Sequence, residues 1–230
     1  LDYRGYRNTL RYDFFYSCAY CSMSEAEAKA IRFTIDHYEP QIACPELVNT
    51  YVNLMYCCDE CNSRKGDRCP PEEAREDGYE FFRPDVHIHD EHFEKKGIRL
   101  EHKTNTGYYT LNALDLNRDQ LLRLRKLRER LSICDQYVSE GILSLSRTRI
   151  DKLSPAQRIG ALKAIKSAED TADEIAESID DCLRLFAKSS LIDDDPEAEA
   201  RARERRQALK GIEGLYTGNW RGRDRKIRKT

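Results

Sequence analysis

No stretch of this chain is long and apolar enough to span a bilayer, which sets aside an integral membrane helix. No signal-peptide pattern opens it. It begins at Leu1 rather than at a methionine, which leaves the natural N-terminus, and any targeting segment on it, open. No internal repeat is visible, and nothing resembles a module that reads base sequence. What is there suits one domain with a large extension, or two small domains, in 230 residues. Apolar residues at 40% are enough for a core, while 35% charged residues and a mean hydropathy of −0.77 call for much solvated helix surface.

Nine cysteines make an odd number, gathered toward the first third. Two Cys-x-x-Cys pairs without a secretory signal favour zinc in a reducing compartment over a disulfide framework, and so a cytoplasmic protein. The net charge of −2 conceals an asymmetry: residues 201–230 carry eleven Lys/Arg against three Asp/Glu, and everything before them sums negative. A basic end on an acidic body is a candidate polyanion-binding arm, the plain alternative being a solubilising, flexible end.

Along the chain, "RFTID" (32–36) and "VNLMYCC" (52–58) read as strands, followed after Cys61 by the start of a helix. "HFEKKGIRLEH" has a Lys-Lys-Gly turn between extended arms, and "TGYYTL" is β-branched and aromatic, so residues 81–114 read as short strands. From Asn117 the pattern is helical. Asn117 with Gln120 resembles a capping box, and Leu121, Leu124, Leu131 and Cys134 share a stripe. Ser154-Pro155 marks a second start, with Ile165, Ala172, Ile175, Ile179 and Cys182 spaced as a coiled-coil seam. A third helix begins at Asp195-Pro196. The expected organisation is a 1–114 nucleus with a β extension and a 115–230 helical region, built as a long-helix hairpin with a basic tail.

Cys18-Ala-Tyr-Cys21 and Cys58-Asp-Glu-Cys61 supply four thiolates, the soft tetrahedral set that zinc prefers. Cys57 or Cys69 remain possible replacements for one of them, while Cys44, Cys134 and Cys182 read as small core residues. Between the pairs stand Asp36-His37 at the end of one strand, Asn53 at the start of the next, and Asn62 directly after the last cysteine of the pairs. A structural zinc ribbon needs none of these. A carboxylate and an amide oxygen are hard ligands for Mg²⁺ or Mn²⁺, and an imidazole takes a proton from water near neutral pH. Metal plus general base is equipment for phosphodiester hydrolysis.

The run "FFYSCAYC … FTIDHYEPQ … YVNLMYCCDECNSRKGD" resembles the HNH endonuclease family, the zinc-stabilised ββα-metal nucleases, over roughly residues 11–70. The resemblance implies an α+β chain: a ββα-metal core with zinc knuckles, a short β extension and the helical hairpin. It implies His37 as general base, Asp36 and Asn62 as ligands of a catalytic Mg²⁺ or Mn²⁺, and Asn53 as a brace of the histidine loop. Cys18, Cys21, Cys58 and Cys61 match the structural zinc set. Two departures stand out: Asn62 occupies the last triad position, where the family name implies His, and Gln41 stands where many relatives have lysine, weakening a backbone contact.

Lys65, one turn beyond Asn62, is placed to meet a phosphate, the alternative being an ordinary surface lysine. Arg123, Arg125 and Lys126 in "RLRKLRER" are further candidates for DNA contact, against the reading of a solvated helix face. His87, His89 and His92 suggest a second metal site or an exposed edge. The resemblance extends to nuclease subunits of bacterial anti-phage systems such as Septu-like pairs, which implies an ATPase partner. A non-catalytic zinc adaptor is the competing class, and RNA cleavage would share the same chemistry.

Overall fold

The computed structural model of the chain describes residues 2–28, 31–147, 152–187 and 197–222. Eight helices and four strands are seen among them. The helices are α1 (Arg7–Asp13), α2 (Asp59–Lys65), α3 (Glu72–Glu76), α4 (His89–His92), α5 (Asn105–Leu114), α6 (Asp119–Arg147), α7 (Pro155–Ala187) and α8 (Ala198–Glu213). The strands are β1 (Phe33–His37), β2 (Leu54–Cys58), β3 (Phe93–Lys96) and β4 (Arg99–His102). This is an α+β chain.

β1 and β2 pair antiparallel, with Phe33 opposite Cys58 and His37 opposite Leu54. β2 is buried along its whole length, which is why "LMYCC" is nearly all apolar rather than alternating. α2 follows without a loop. It begins at Asp59, earlier than the expected start after Cys61, with Cys58 as its N-cap residue. Asp59 and Glu60 in the first turn suit the positive end of the helix. Gly66, at φ +56°, closes it by donating its N–H to the Asn62 carbonyl at 2.8 Å.

The Lys-Lys-Gly hairpin forms as β3 and β4. "TGYYTL" does not extend; it lies in α5. Thr104 caps that helix by accepting from Gly107 N–H, and Thr106, Tyr109, Thr110, Ala113 and Leu114 fall on one buried face at helical spacing. Gly107 is required, because a Cβ there would lie 2.2 Å from the His92 carbonyl oxygen. Asn117, ahead of α6, also ties the hairpin to the core. Its amide pairs with the backbone of Leu100 in both directions, at 2.9 and 2.8 Å, fastening β4.

The chain divides into two compact units. One comprises residues up to 121 together with 196 onward; the other is 122–195. α8 and the residues after it therefore belong with the strands, not with the helical unit. Leu209 and Ile212 are buried, and Arg205 on α8 pairs with Asp115 at 2.9 Å. Trp220, in a stretch expected to be flexible, is buried beside Tyr109 and Tyr216. In the helical unit, Ser154 and Gln157 exchange the two hydrogen bonds of a capping box ahead of Pro155, and Cys182 is buried. Residues 148–151 between α6 and α7, the expected Asp195-Pro196 start and the basic residues after Gly222 lie outside the described residues.

Candidate active site

Cys18, Cys21, Cys58 and Cys61 place their Sγ atoms within 4.8 Å of one another. Zn–S bonds of about 2.3 Å in a tetrahedron require sulfurs about 3.8 Å apart. The Cys21 and Cys58 sulfurs stand 3.8 Å apart, so the donor set fits the ion. Among the described residues no other cluster of three or more His, Cys, Asp or Glu side chains converges in this way. Cys57, though buried, is outside the cluster, and Cys69 contacts Glu39 and Arg75 instead. His87 and His92 lie with rings 4.8 Å apart, but His87 Nδ1 accepts from Arg83 N–H and His92 Nδ1 meets the Thr104 hydroxyl.

Four thiolates around a divalent ion leave two negative charges in a buried place. Arg118 answers them. It is buried, its Nη2 reaches Cys61 Sγ at 3.7 Å and Cys58 Sγ at 4.0 Å, and its Nε pairs with Glu60 at 2.7 Å. Burial works against its charge, yet the sulfurs and Glu60 outweigh that and raise its pKa. Nothing local marks Arg118; it arrives from 57 residues beyond Cys61.

The first cysteine pair also touches the neighbouring chemistry. Tyr20, between Cys18 and Cys21, donates its hydroxyl to Asp36 Oδ2 at 2.5 Å. Burial first, and the nearby Asp36 charge second, hold that phenol well above its usual pKa, so it remains a donor. Asp36 also receives Lys65 Nζ at 3.1 Å, and the same ammonium donates to the His37 carbonyl at 2.7 Å. Lys65 is wholly buried, 0% exposed. This corrects the expectation that it meets a phosphate: the last turn of α2 points it inward, beneath β1, where a buried carboxylate supplies its counter-charge.

His37 has a defined tautomer. Nε2 lies 2.9 Å from the Val48 carbonyl, which only accepts, so Nε2 carries the proton. Nδ1 keeps its lone pair, and Gln41 Nε2 donates to it at 3.0 Å. Gln41 thus contacts the imidazole itself, not merely the turn. Tyr3 closes the other side edge-on, ring centres 4.7 Å apart. Asn53, buried, holds the loop after β1: its Oδ1 accepts from Glu39 N–H at 2.8 Å, and its amide donates to the Glu39 and Leu47 carbonyls. The Leu47–Val48 segment is the one that grips His37.

These residues open on one cleft of about 480 Å³, lined by Ile35, Asp36, His37, Pro40, Gln41, Ile42, Asn62, Gly66 and Asp67. Asp36, His37 and Asn62 are brought together there. Asn62 is half-buried, and no hydrogen bond to its side chain is seen among the described residues. Arg123, Arg125 and Lys126 lie on α6 in the helical unit and do not line the cleft.

No helix among the described residues is long and apolar enough to cross a membrane. No curated protein and no solved structure matches the chain. A family model does, over residues 18–68, from the first cysteine of the metal cluster to just beyond α2. That interval holds all four clustered cysteines together with Asp36, His37, Asn53 and Asn62: the chain carries an HNH endonuclease domain.

Proposed function

We propose that the cleft is the active centre of a metal-dependent endonuclease that hydrolyses phosphodiester bonds in DNA. The observation that carries this reading is the imidazole of His37, fixed with Nε2 on a backbone carbonyl and Nδ1 on the Gln41 amide, which lines one cleft together with Asp36 and Asn62. Once a water displaces the Gln41 amide, Nδ1 takes a proton from it. The water oxygen bonds to phosphorus as the P–O3′ bond breaks, giving a 5′-phosphate and, after protonation by solvent, a 3′-hydroxyl.

Asp36 and Asn62 would hold Mg²⁺ or Mn²⁺, which supplies charge stabilisation at the phosphate. Two donors already occupy Asp36, yet a carboxylate accepts about four hydrogen bonds, so capacity remains. A single carboxylate whose charge is shared with Lys65 suits an ion that keeps several waters and shares substrate oxygens. The four cysteines hold structural Zn²⁺.

Plasmid nicking with Mg²⁺ or Mn²⁺, wild type against His37→Ala, tests the reading. Loss of nicking with zinc content unchanged is expected; equal nicking by both proteins removes His37 as base. The non-catalytic zinc adaptor has one observation in its favour, the engagement of Asp36 by Tyr20 and Lys65, and predicts no nicking with either ion. RNA offered in the same assay separates the two substrates.

The finer reading is a nuclease subunit of a bacterial anti-phage complex, cytoplasmic and delivered to DNA by an ATPase partner. Arg123, Arg125 and Lys126 are proposed to meet phosphates from the helical unit. The partner rests on resemblance, with support from a cleft that holds few charges able to attract DNA. Co-purification of an ATPase with the full chain from its natural host is the test.

A further inference from the structure

The cleft presents a charge problem. Its nine lining residues include two carboxylates, Asp36 and Asp67, and no lysine or arginine. Lys65, the cation nearest by sequence, is buried. A polyanionic substrate therefore needs cations from beside the cleft, and a row of them begins at Asp67.

Arg221 pairs with Asp67 at 3.0 Å, and its backbone forms an antiparallel bridge with Arg68. Arg68 turns back over the end of α2, where its Nη1 donates to the Arg64 carbonyl at 2.5 Å. Arg64 reaches Asp115 Oδ2 at 3.4 Å, and Arg205 on α8 reaches the same oxygen at 2.9 Å. Asp115 is the residue that ends α5, in the left-handed conformation at φ +53°. Four guanidiniums from three separate stretches of chain thus line up from a cleft residue to the corner after α5.

Two carboxylates pair with this row, and Glu213 adds a more distant negative charge beside Arg68. Arg118 also faces Arg205, though the sulfurs and Glu60 engage it. Positive charge is left over. Arg68 Nε is buried with no hydrogen-bond partner among the described residues. Burial first, and then Arg221, hold that guanidinium below its ordinary pKa. Burial lowers Arg205 as well, and Arg64, Arg68 and Arg118 add to it against the pull of Asp115. Guanidiniums held this closely repel one another, and an anion laid across them removes that cost.

Fastening α8 takes only the Arg205–Asp115 pair. The second cation on Asp115 comes from a helix already anchored by buried Cys61 and Lys65. The side chains of Arg64 and Arg221 stay 33% and 29% exposed, so an anion can reach them from solvent.

We propose that this arginine row is the DNA-binding flank of the cleft: Arg221 and Arg64 meet phosphates beside the scissile one, with Arg68 and Arg205 supplying charge behind them. The ligand is the phosphodiester backbone, whose paired oxygens match a guanidinium fork, and no base is read. Asp115 is the counter-charge that holds Arg64 and Arg205 in place before DNA arrives. The proposal rests on the nuclease reading for what the cleft does to that DNA.

The test compares the full chain with Arg64→Gln, Arg221→Gln, the double variant and Asp115→Asn. Readouts are fluorescence anisotropy of a labelled duplex across salt concentrations and plasmid-nicking kinetics, with melting temperature and zinc content as fold controls. Each single arginine change should flatten the log K against log salt slope by about 1, and the double variant by about 2. The double variant's kcat/KM should fall about tenfold, mainly through KM.

Asp115→Asn is the discriminating change, because asparagine tolerates the left-handed backbone while the counter-charge goes. It should tighten duplex binding severalfold at low salt, less so as salt rises. Asp90→Asn, the same charge change at an exposed position on α4, should not. A network that only holds the fold predicts a lower melting temperature for Asp115→Asn with no gain in binding, and that result overturns the proposal. So does an unchanged salt slope in the double variant. If Asp115→Asn does not fold, the two more exposed arginines carry the test. If inorganic phosphate, at the duplex's phosphate concentration, raises the melting temperature as much as the duplex does, the row is a free-anion site and the DNA assignment falls. Should the full chain bind duplex but not nick it, the nuclease reading falls while the slopes still decide the binding role; a full chain that does not bind duplex overturns the proposal.

Discussion

Lys65 offers the sharpest test of the structure, because two readings of one lysine predict opposite results. On a helix exterior it would serve DNA and be dispensable to the fold. Here its ammonium is wholly buried, held by Asp36 at 3.1 Å and the His37 carbonyl at 2.7 Å, with Phe81 covering it at 5.6 Å. Lys65→Met keeps the length and removes the charge. It strands the Asp36 carboxylate, 4% exposed, with Tyr20 as its remaining donor. Breaking one side of a buried pair costs about 3–5 kcal/mol. For a chain of this length that lowers Tm by about 6–20 °C, at roughly 2–4 °C per kcal/mol.

Thermal unfolding of the zinc-loaded protein, followed by circular dichroism, measures the cost. Pairing the change with Asp36→Asn checks its cause. The double variant leaves no buried charge, so it should lose markedly less than the two single losses added together, the non-additivity being about 1–3 kcal/mol. DNA affinity of the folded variant at low temperature should stay within about twofold of wild type, as no phosphate contact is lost. A Lys65→Met protein that melts within about 1 kcal/mol of wild type, but binds DNA several-fold more weakly, would refute the buried placement.

Tyr20→Phe removes one donor to a charged acceptor and should cost about 1.5–3 kcal/mol while zinc content holds; a loss below about 0.5 kcal/mol in the same melts would contradict the 2.5 Å contact. Arg118→Met takes the cation from beside the thiolates, and zinc affinity in chelator competition should drop about 10–100-fold. Glu39, bound through both carboxylate oxygens by Arg75, has its pKa lowered, burial opposing and Arg75 prevailing. Its folded-state pKa lies below the unfolded one, so this stabilisation is present above about pH 4.3 and is lost as pH falls through the depressed value. Glu39→Gln should therefore shrink the acid-induced drop in stability, and an unchanged drop would count against the pairing. Gln41→Glu sets a carboxylate beside Nδ1 and favours the protonated ring, so the acidic limb of the pH–rate profile should move to higher pH.

The ββα core was legible because its signals are local. Phe33 to Cys58 spans two paired strands and the loop of residues 38–53 between them, and each cysteine pair and Asp36-His37 is a short motif readable in place. Residues whose neighbours are distant in sequence carry no such local signal. "TGYYTL" has strand-like composition, but the Thr104 cap and the need for Gly107 against His92 make it a helix. Asn117 gives no sign of its pairing with β4, because that partner, Leu100, is 17 residues away. Lys65 reads as exposed until Asp36, 29 residues earlier, is placed beneath it. Arg118 and Trp220 carry no motif at all, and only the docking of α5 and of the segment after α8 reveals what they touch.

One question the cysteine pairs pose is whether a zinc site here merely holds the chain. The geometry argues that holding and positioning are the same act. Cys58 ends β2 and Cys61 lies in the first turn of α2, so an ion on both fixes where Asn62 stands, one residue later. Cys18 and Cys21 enclose Tyr20, so the same ion fixes the phenol that grips Asp36. The two cleft residues suited to a hard cation are thus each within one side chain of a soft-metal ligand, from opposite ends of the domain. His37 is different: its ring is set by Val48, Gln41 and Tyr3, none of them tied to the cysteines. Loss of zinc should then scatter Asp36 and Asn62 before it releases the imidazole. Histidine resonances that hold their tautomer at partial chelation, while divalent-ion binding is already gone, would be the signature of that order.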